Sequence, residues 1–223
     1  DPCFTGEPQS DSSAACGHDE WLREYELQEG RSQEEFVRHF RQAYGPHLPV
    51  WVATEVMSFG TLRRLYLGTA EQDRRLIATA FDLFTVTGAG DFGLLSNWLE
   101  HIRHLRNLCA HHSRIWNRSF TAELASSSNV SELEHLDRRS RHRLYGSVAV
   151  LTYLMARIDQ RSDWSRRMIE LLQRQSDLLG LRLETMGFPE GWESQEIWRA
   201  DYQRDPERTR QAQLVAGLAA STA

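Results

Sequence analysis

Apolar residues recur three and four positions apart along most of the chain from Trp21 onwards. This spacing places them on one face of an amphipathic helix. The pattern predicts helices over residues 19–29, 32–43, 49–67, 70–85, 92–112, 140–158, 162–180 and 206–220. Runs of alternating β-branched residues, which would indicate strands, do not occur in the sequence. The sequence therefore predicts an all-α fold with no sheet.

Local signals mark where some of these helices begin and where the chain turns. Ser32 with Glu35 is typical of a capping box, and Pro49 suits the first turn of a helix. The glycine-rich stretch 85–93 lacks the Lys-Ser/Thr pair of a phosphate-binding loop, so it predicts a turn followed by a helix cap. Residues 119–136 predict a long loop.

Two of the predicted helices carry an apolar stripe that we expect to face the core. The stripe of the helix over 49–67 comprises Val52, Val56, Phe59, Leu62 and Tyr66. The stripe of the helix over 92–112 comprises Leu94, Leu95, Trp98, Ile102, Leu105 and Cys109. On this second helix Cys109 and His112 both face inwards, which predicts that Cys109 is a small core residue and His112 a core histidine.

The composition is that of a globular protein in a reducing compartment. Of the 223 residues, 40% are hydrophobic and 26% charged. No apolar run approaches the roughly 20 residues of a membrane span, and three cysteines are too few for a disulfide framework. These features predict a cytoplasmic protein with no membrane partner. Along the chain we predict a disordered acidic lead over 1–18, a helical domain over 19–198 and a tail with a short helix over 199–223.

Charge is unevenly distributed along the sequence. The net charge of −5 argues against a general nucleic-acid binder, and residues 1–35 alone hold ten acids and two arginines. Residues 101–118, in contrast, contain four arginines, four histidines and no acid. A second cationic run spans Arg138 to Arg143, and it is typical of either a solvated surface or a contact with a nucleic-acid backbone.

The acid-free segment 101–118 holds the candidate chemistry, at the C-terminal end of a predicted helix. Arg106 and His111 are five residues apart, which is about 140° around a regular helix. They meet if the helix ends or distorts between them, or if Arg106 of one chain approaches the partner's His111 across a two-fold axis. A histidine that removes the proton of a ribose 2′-hydroxyl and an arginine that stabilises phosphate charge suit RNA cleavage without metal.

Zinc is the main alternative ligand for this segment. His104, Cys109, His111 and His112 are suitable residue types. Adjacent histidines diverge on a helix, however, and the sequence has no Cys-x-x-Cys pair. We therefore expect no metal and no other cofactor.

The string Arg106-Asn107-Leu108-Cys109-Ala110-His111-His112-Ser113-Arg114-Ile115-Trp116-Asn117 resembles the signature of the Abi-like family, which is associated with abortive phage infection in bacteria. That family resembles the HEPN superfamily of helical ribonucleases, whose motif is an arginine, usually followed by asparagine, and a histidine four to six residues later. Arg106, Asn107 and His111 match this motif. Further segments that resemble the family are Leu48-Pro49-Val50-Trp51, Glu55 to Leu62, Asp163-Trp164, and Met186 to Pro189 with Trp192, so the resemblance covers roughly 19–198.

The resemblance implies a HEPN-like helical bundle with additional helices, and a metal-independent endoribonuclease that acts in abortive infection or as a toxin. It implies an RNA substrate, a homodimer with a composite site and an antitoxin, RNA or protein, as a further partner. The implied catalytic residues are Arg106 and His111, with Asn107 positioning one of them. The implied accessory or RNA-binding residues are His112, Arg114, Arg103, His104 and Asn117.

Two other functions remain open on the sequence alone. The segment 101–118 would also suit a dimeric helical protein that binds RNA without cutting it. The third function is a structural interaction protein, in which Arg106 forms a salt bridge with Glu55 or Glu100 and His111 caps backbone carbonyls.

Overall fold

The computed structural model describes residues 17–127, 129–159, 161–199, 202 and 207. This part of the chain contains α-helices and short 3-10 helices but no strand, which confirms the predicted all-α class. The α-helices are α1 (Gly17–Arg31), α2 (Glu35–Tyr44), α3 (Val50–Val56), α4 (Phe59–Gly68), α5 (Glu71–Ala80), α6 (Phe92–Ala110), α7 (Arg138–Arg141), α8 (Leu144–Ile158) and α9 (Trp164–Leu179). The 3-10 helices are Ser131–Leu133, Leu183–Met186, Trp192–Ser194 and Glu196–Trp198.

Parts of the prediction concern residues that the structure does not describe. Residues 1–16 of the predicted acidic lead lie outside the described residues, and so does the predicted helix over 206–220 apart from residue 207. Among the described helices, none combines the length and the apolar character needed to cross a bilayer. The chain divides into two compact units, Asp1–Arg74 and Arg75–Ala223.

The first unit is held by polar bonds between α1 and α4. The indole Nε1 of Trp21 donates to the carbonyl of Thr61 at 2.9 Å. Gln28 accepts a 2.6 Å hydrogen bond from the backbone N–H of Ser58. Glu24 forms an ion pair with Arg64. Buried backbone and side-chain groups therefore find partners across the helix pair, as burial requires.

The predicted helix over 49–67 is two helices, because Ser58 starts a new one. The Ser58 hydroxyl accepts a 3.2 Å hydrogen bond from the N–H of Thr61 and so caps α4. The single apolar stripe predicted across this break is therefore wrong, and Leu62 is exposed. Two start signals were also misplaced: α2 begins after Glu34 without a side-chain cap, and Pro49 precedes α3 rather than lying in its first turn.

The core of the second unit lies between α6 and α8. Trp98 of α6 and Tyr153 of α8 are both buried, and their rings meet edge to face with 5.6 Å between centroids. Gly146 allows α8 to approach the turn before it, because a Cβ there would lie 2.6 Å from the carbonyl oxygen of Ser140. Close packing of this kind fixes α8 against the elements that precede it.

A turn and a helix cap join α5 to α6, as the glycine-rich stretch predicts. Helix α5 ends at Ala80, five residues before its predicted end, and Asp82 is left-handed at φ 57°. Asp82 and Glu132 each lie 3.1 Å from the buried guanidinium of Arg157, which anchors this turn on α8. The Asp91 carboxylate accepts a 2.8 Å hydrogen bond from the N–H of Leu94 and caps α6.

The predicted loop over 119–136 is irregular apart from one 3-10 helix, but it packs against the core rather than standing in solvent. We call its first part, residues 120–125, the return segment. Asn97 of α6 donates to the carbonyl of Glu123 at 3.1 Å and accepts from the N–H of Ala125 at 2.7 Å. The N–H of Phe120 donates to the carbonyl of His142 at 2.8 Å. The return segment thus ties α6 to the junction of α7 and α8.

Candidate functional site

Helix α6 ends inside the segment that holds the candidate chemistry. The N–H of His112 donates to the carbonyl of Cys109 at 3.0 Å, and the N–H of Ser113 donates to that of Leu108 at 2.9 Å. These two bonds form a Schellman motif, which requires a left-handed residue, and His112 supplies it at φ 52°. His111 is the last cap residue, at φ −93° and ψ 14°. The helix therefore continues through Ala110 and the chain leaves it only at His112, so the predicted break between Arg106 and His111 does not occur.

A small apolar cluster supports this helix end. Leu105, Leu108 and Phe120 are buried together, and Ile115, Leu144 and Leu151 pack against them. Leu105 and Leu108 come from the last turns of α6, and Phe120 opens the return segment. The cluster holds one side of the helix end, so the side chains on the other side point to solvent.

The three motif residues occupy that outer side. Arg106 and His111 are exposed, and Asn107 is half-buried. The guanidinium Nη1 of Arg106 donates to Oδ1 of Asn107 at 3.1 Å. Within the described part of the chain, no hydrogen bond joins Arg106 to His111. Asn107 therefore fixes the guanidinium, whereas the imidazole of His111 is open to solvent and to other molecules.

Cys109 and His112 are exposed, and both predictions of a core position are wrong. The buried face of α6 follows Trp98, His101, Leu105 and Leu108 rather than the predicted line that ends at Cys109. Both lines have helical spacing. The return segment and α8 cover the side of α6 that carries His101, so Cys109 lies on the exposed side. His112 lies beyond the helix end, where the helical spacing no longer applies.

The predicted accessory residues are only partly brought to this end of the helix. Arg103 is one turn back and pairs with Glu100 at 2.6 Å. His104 is half-buried and meets the ring of Phe120 edge to face, with 6.2 Å between centroids. Arg114 and Asn117 follow His112 in the exposed turn. Arg103 and His104 are thus held by neighbours, whereas Arg114 and Asn117 lie on the open side with the motif.

His101 has a different role from the other histidines of its cluster. It is only 1% exposed. Its Nδ1 donates to the carbonyl of Ala122 at 2.6 Å, which leaves Nε2 to accept from the hydroxyl of Ser147 at 2.7 Å. Burial lowers the pKa of His101, the bond to Ala122 opposes that change, and nearby His104 adds to it. His101 is therefore a neutral link between α6, the return segment and α8.

The second cationic run is largely engaged in the fold. Arg139 donates to the carbonyl of Glu184 at 2.6 Å, and Arg141 donates to that of Leu124 at 3.3 Å. Arg143 donates to Oδ1 of Asn117 at 2.8 Å, a contact that sequence reasoning missed. No local pattern signals this contact, because 26 residues separate the two partners.

In the described residues, no three side chains of His, Cys, Asp or Glu lie close enough together to hold a metal ion.

Comparison with models of protein families gives a match over the first half of the chain. A family model described as Abi-like protein matches residues 3–117, which is just over half of the 223-residue chain. The matched span contains Arg106, Asn107 and His111 and ends at Asn117. No curated protein and no solved structure gives a significant match.

Proposed function

The chain belongs to the Abi-like protein family, and on that basis we propose that it acts in abortive phage infection as a metal-independent endoribonuclease of the HEPN type. One observation carries the proposal. Arg106, Asn107 and His111 lie in the last turn and at the C-cap of α6, on the side that the apolar cluster leaves uncovered. The enzyme acts in the cytoplasm, where its substrate is RNA and an antitoxin, RNA or protein, restrains it.

The chemistry uses the 2′-hydroxyl that distinguishes RNA from DNA. The imidazole of His111 removes the proton of this hydroxyl, and the 2′-oxygen attacks the adjacent phosphorus. The bond from phosphorus to the 5′-oxygen breaks, and a second imidazole protonates the leaving oxygen. The products are a 2′,3′-cyclic phosphate and a 5′-hydroxyl.

Arg106 stabilises the charge that develops on the phosphate oxygens during this attack. Its bond to Asn107 leaves further N–H groups of the guanidinium to bind phosphate, because that bond uses Nη1 alone. Asn107 therefore acts as the positioning residue of the site.

A homodimer supplies the second imidazole. One chain has only one motif histidine, and its Arg106 has no bond to that His111 in the described residues. In a two-fold dimer formed through the exposed helix end, the partner's His111 completes the site. Each chain then provides a base or an acid, and both imidazoles are needed for one cleavage.

Purified protein is incubated with single-stranded RNA in EDTA, and the new ends are analysed chemically. We expect cleavage that leaves 2′,3′-cyclic phosphate ends. His111→Ala removes both imidazoles of the proposed dimer and lowers the rate by at least about 10²–10⁴-fold, the contribution of a single proton transfer. Arg106→Ala lowers it by about 10²–10³-fold. His39→Ala, at another exposed histidine, leaves the rate unchanged.

The composite site is tested by subunit exchange. Wild-type protein is mixed with about a ninefold excess of His111→Ala protein, and roughly a tenth of the wild-type activity remains if both histidines of a dimer are needed. Unchanged activity for each wild-type chain would show that the site lies within one chain. Loss of cleavage in EDTA would show that the metal-free mechanism is wrong.

A second candidate is a dimeric module that binds RNA without cutting it. The hydrogen bond of Arg106 to Asn107, rather than to His111, favours it because the single chain then lacks a paired base and phosphate ligand. RNA that binds but is never cut, even by the dimer, would support this module.

A further inference from the structure

Arg143 reaches the candidate site from a distant part of the chain. It lies between α7 and α8, and its Nη1 donates to Oδ1 of Asn117 at 2.8 Å and to the carbonyl of Thr185 at 2.9 Å. Its aliphatic stem packs against Gly187, where a Cβ would lie only 2.7 Å from the Arg143 Cβ. Gly187 has a positive φ of 87°, which also favours glycine. Arg143 is therefore held in place from two sides.

Two more arginines belong to the turn that Arg143 contacts, residues 112–118, which we call the motif turn. Arg114 is exposed, Arg118 is half-buried, and both flank Asn117 in the sequence. The Nη1 of Arg118 donates to the carbonyl of Arg114 at 3.5 Å, which folds the turn back on itself. Asn117 is left-handed at φ 48° and turns its amide towards Arg143. The turn thus carries Arg114 and Arg118 and is contacted by the guanidinium of Arg143.

In the part of the chain that the structure describes, no carboxylate forms an ion pair with any of these three guanidinium groups. Within the described residues, Arg118 and Arg143 donate only to neutral oxygens, and the exposed guanidinium of Arg114 makes no hydrogen bond. Other arginines of the same unit do have carboxylate partners, such as Arg103 at 2.6 Å and Arg157 at 3.1 Å. A guanidinium that has no carboxylate partner can bind phosphate oxygens, which its planar fork of N–H groups suits.

We propose that Arg114, Arg118 and Arg143 form a second anion subsite, which binds the phosphate backbone of RNA beside the bond that is cut. The proposal rests on RNA as the substrate of the proposed function. Two of its members, Arg118 and Arg143, lie beyond the span that the family model matches. The subsite binds and holds the strand and takes no part in the transfer of protons.

The experiment measures binding apart from cleavage. Single-stranded 2′-O-methyl RNA cannot be cut by this chemistry, because its 2′-oxygen carries no proton. Its affinity is measured by fluorescence anisotropy over a series of salt concentrations. Arg143→Met retains the stem over Gly187 and removes the charge, Arg143→Lys retains the charge, and thermal unfolding shows whether each variant is folded.

Arg139 offers a matched control. Like Arg143, it donates to a backbone carbonyl of the 3-10 helix Leu183–Met186, at Glu184, but it has no bond to the motif turn. Arg139→Met therefore removes the same charge and the same kind of bond at a neighbouring position. Any effect on overall charge or on the 3-10 helix is common to the two variants.

We expect Arg143→Met to weaken binding about threefold to tenfold and to lower the slope of log K against log salt by about 0.7, the value for one phosphate contact on a single strand. Arg143→Lys keeps the slope, and Arg139→Met keeps both affinity and slope. Arg118→Met loses only a 3.5 Å bond in the fold and lowers the slope by the same amount, so it gives the answer even if Arg143→Met fails to fold.

Wild-type affinity and slope in both Arg143→Met and Arg118→Met would overturn the subsite, and so would an equal loss in Arg139→Met. A wild-type protein that does not bind the RNA would also overturn it. The proposed endoribonuclease fails separately. If the subsite variants behave as expected but no RNA is ever cut, the subsite stands and the catalytic proposal is wrong.

Discussion

Helix α6 carries two histidines with opposite properties, one in its middle and one at its C-terminal cap. His101 lies in the middle of the helix and is closed in by the return segment and α8. His111, ten residues later, caps the helix and is exposed. Both belong to the same Arg- and His-rich segment of the sequence. Composition therefore identifies the segment, but burial decides which histidine is a structural link and which is available for chemistry.

The same contrast separates the two cationic runs. In the run over 138–143, Arg139 and Arg141 bond to backbone carbonyls and act as connectors in the fold. In the motif turn, Arg114 keeps its guanidinium in solvent. Arg143 belongs to the run over 138–143 by sequence, but its contact with Asn117 places it at the motif turn. Charge density along a sequence thus indicates where cations are, and only contacts show what they do.

The largest expected difference between the two histidines is in stability. His101→Ala leaves the carbonyl of Ala122 and the hydroxyl of Ser147 without their partner and opens a cavity, so we expect a loss of about 2–4 kcal/mol in the free energy of unfolding. His111→Ala at the exposed cap changes it by less than about 0.5 kcal/mol. Denaturant unfolding of both variants measures the difference. Equal losses of unfolding free energy in the two variants would contradict the contrast between His101 and His111.

Acid should lower the free energy of unfolding through the buried histidines. Burial lowers the pKa of His101 and also that of His135, whose ring bonds to the hydroxyl of Tyr145. The unfolded chain takes up these protons below about pH 6.5, but the folded chain resists them. Stability is therefore present above that pH and is lost as the pH falls, by at most about 1.4 kcal/mol per pH unit for each histidine.

The test of this pH dependence compares the free energy of unfolding at pH 7.5 and 5.5 for the wild type and for His101→Gln. Glutamine does not titrate, so the variant is expected to lose less stability between the two pH values. A variant with the same pH dependence as the wild type would show that His101 is already able to protonate in the folded state.

A smaller effect is expected where α6 ends. His112 adopts a left-handed conformation that glycine accepts at little cost, whereas other residues lose about 1–2 kcal/mol there. Glycine also costs entropy in the unfolded chain. We therefore expect His112→Gly to raise the free energy of unfolding by about 0.5–1 kcal/mol. His111→Gly, at φ −93°, is the control and brings no gain; a gain there would point to another cause.

The smallest effect is expected at Cys109. Because its side chain is exposed, Cys109→Ser changes the free energy of unfolding by less than about 0.5 kcal/mol. Its buried neighbour Leu108 sets the scale, since Leu108→Ala costs about 2–4 kcal/mol. In a background of Cys3→Ser and Cys16→Ser, a thiol reagent labels the folded protein rapidly. Labelling only after unfolding would restore the core position predicted from the sequence.

Local signals in the sequence were reliable before α6, where single residues act on their near neighbours, but not at Ser32 and Pro49. The turn before α6 and its cap at Asp91 follow from glycines and an aspartate within a few positions. The break at Ser58 was missed although its cap is local, because the apolar spacing continues across it and hides the signal. Residue types in the segment 101–118 pointed to Arg106 and His111, and the resemblance of residues 106–117 to the Abi-like family added Asn107.

The sequence by itself determined the helical class and the approximate positions of the helices, because each depends on groups within about four positions of one another. The tertiary structure alone decided that His101 is buried while Cys109 is exposed, and that Arg143 joins the turn at Asn117. Two adjacent lines of a helix have equally good spacing, and the partner that covers one of them comes from 21 to 46 residues away. Contacts of that range depend on how whole elements pack, which no local pattern contains.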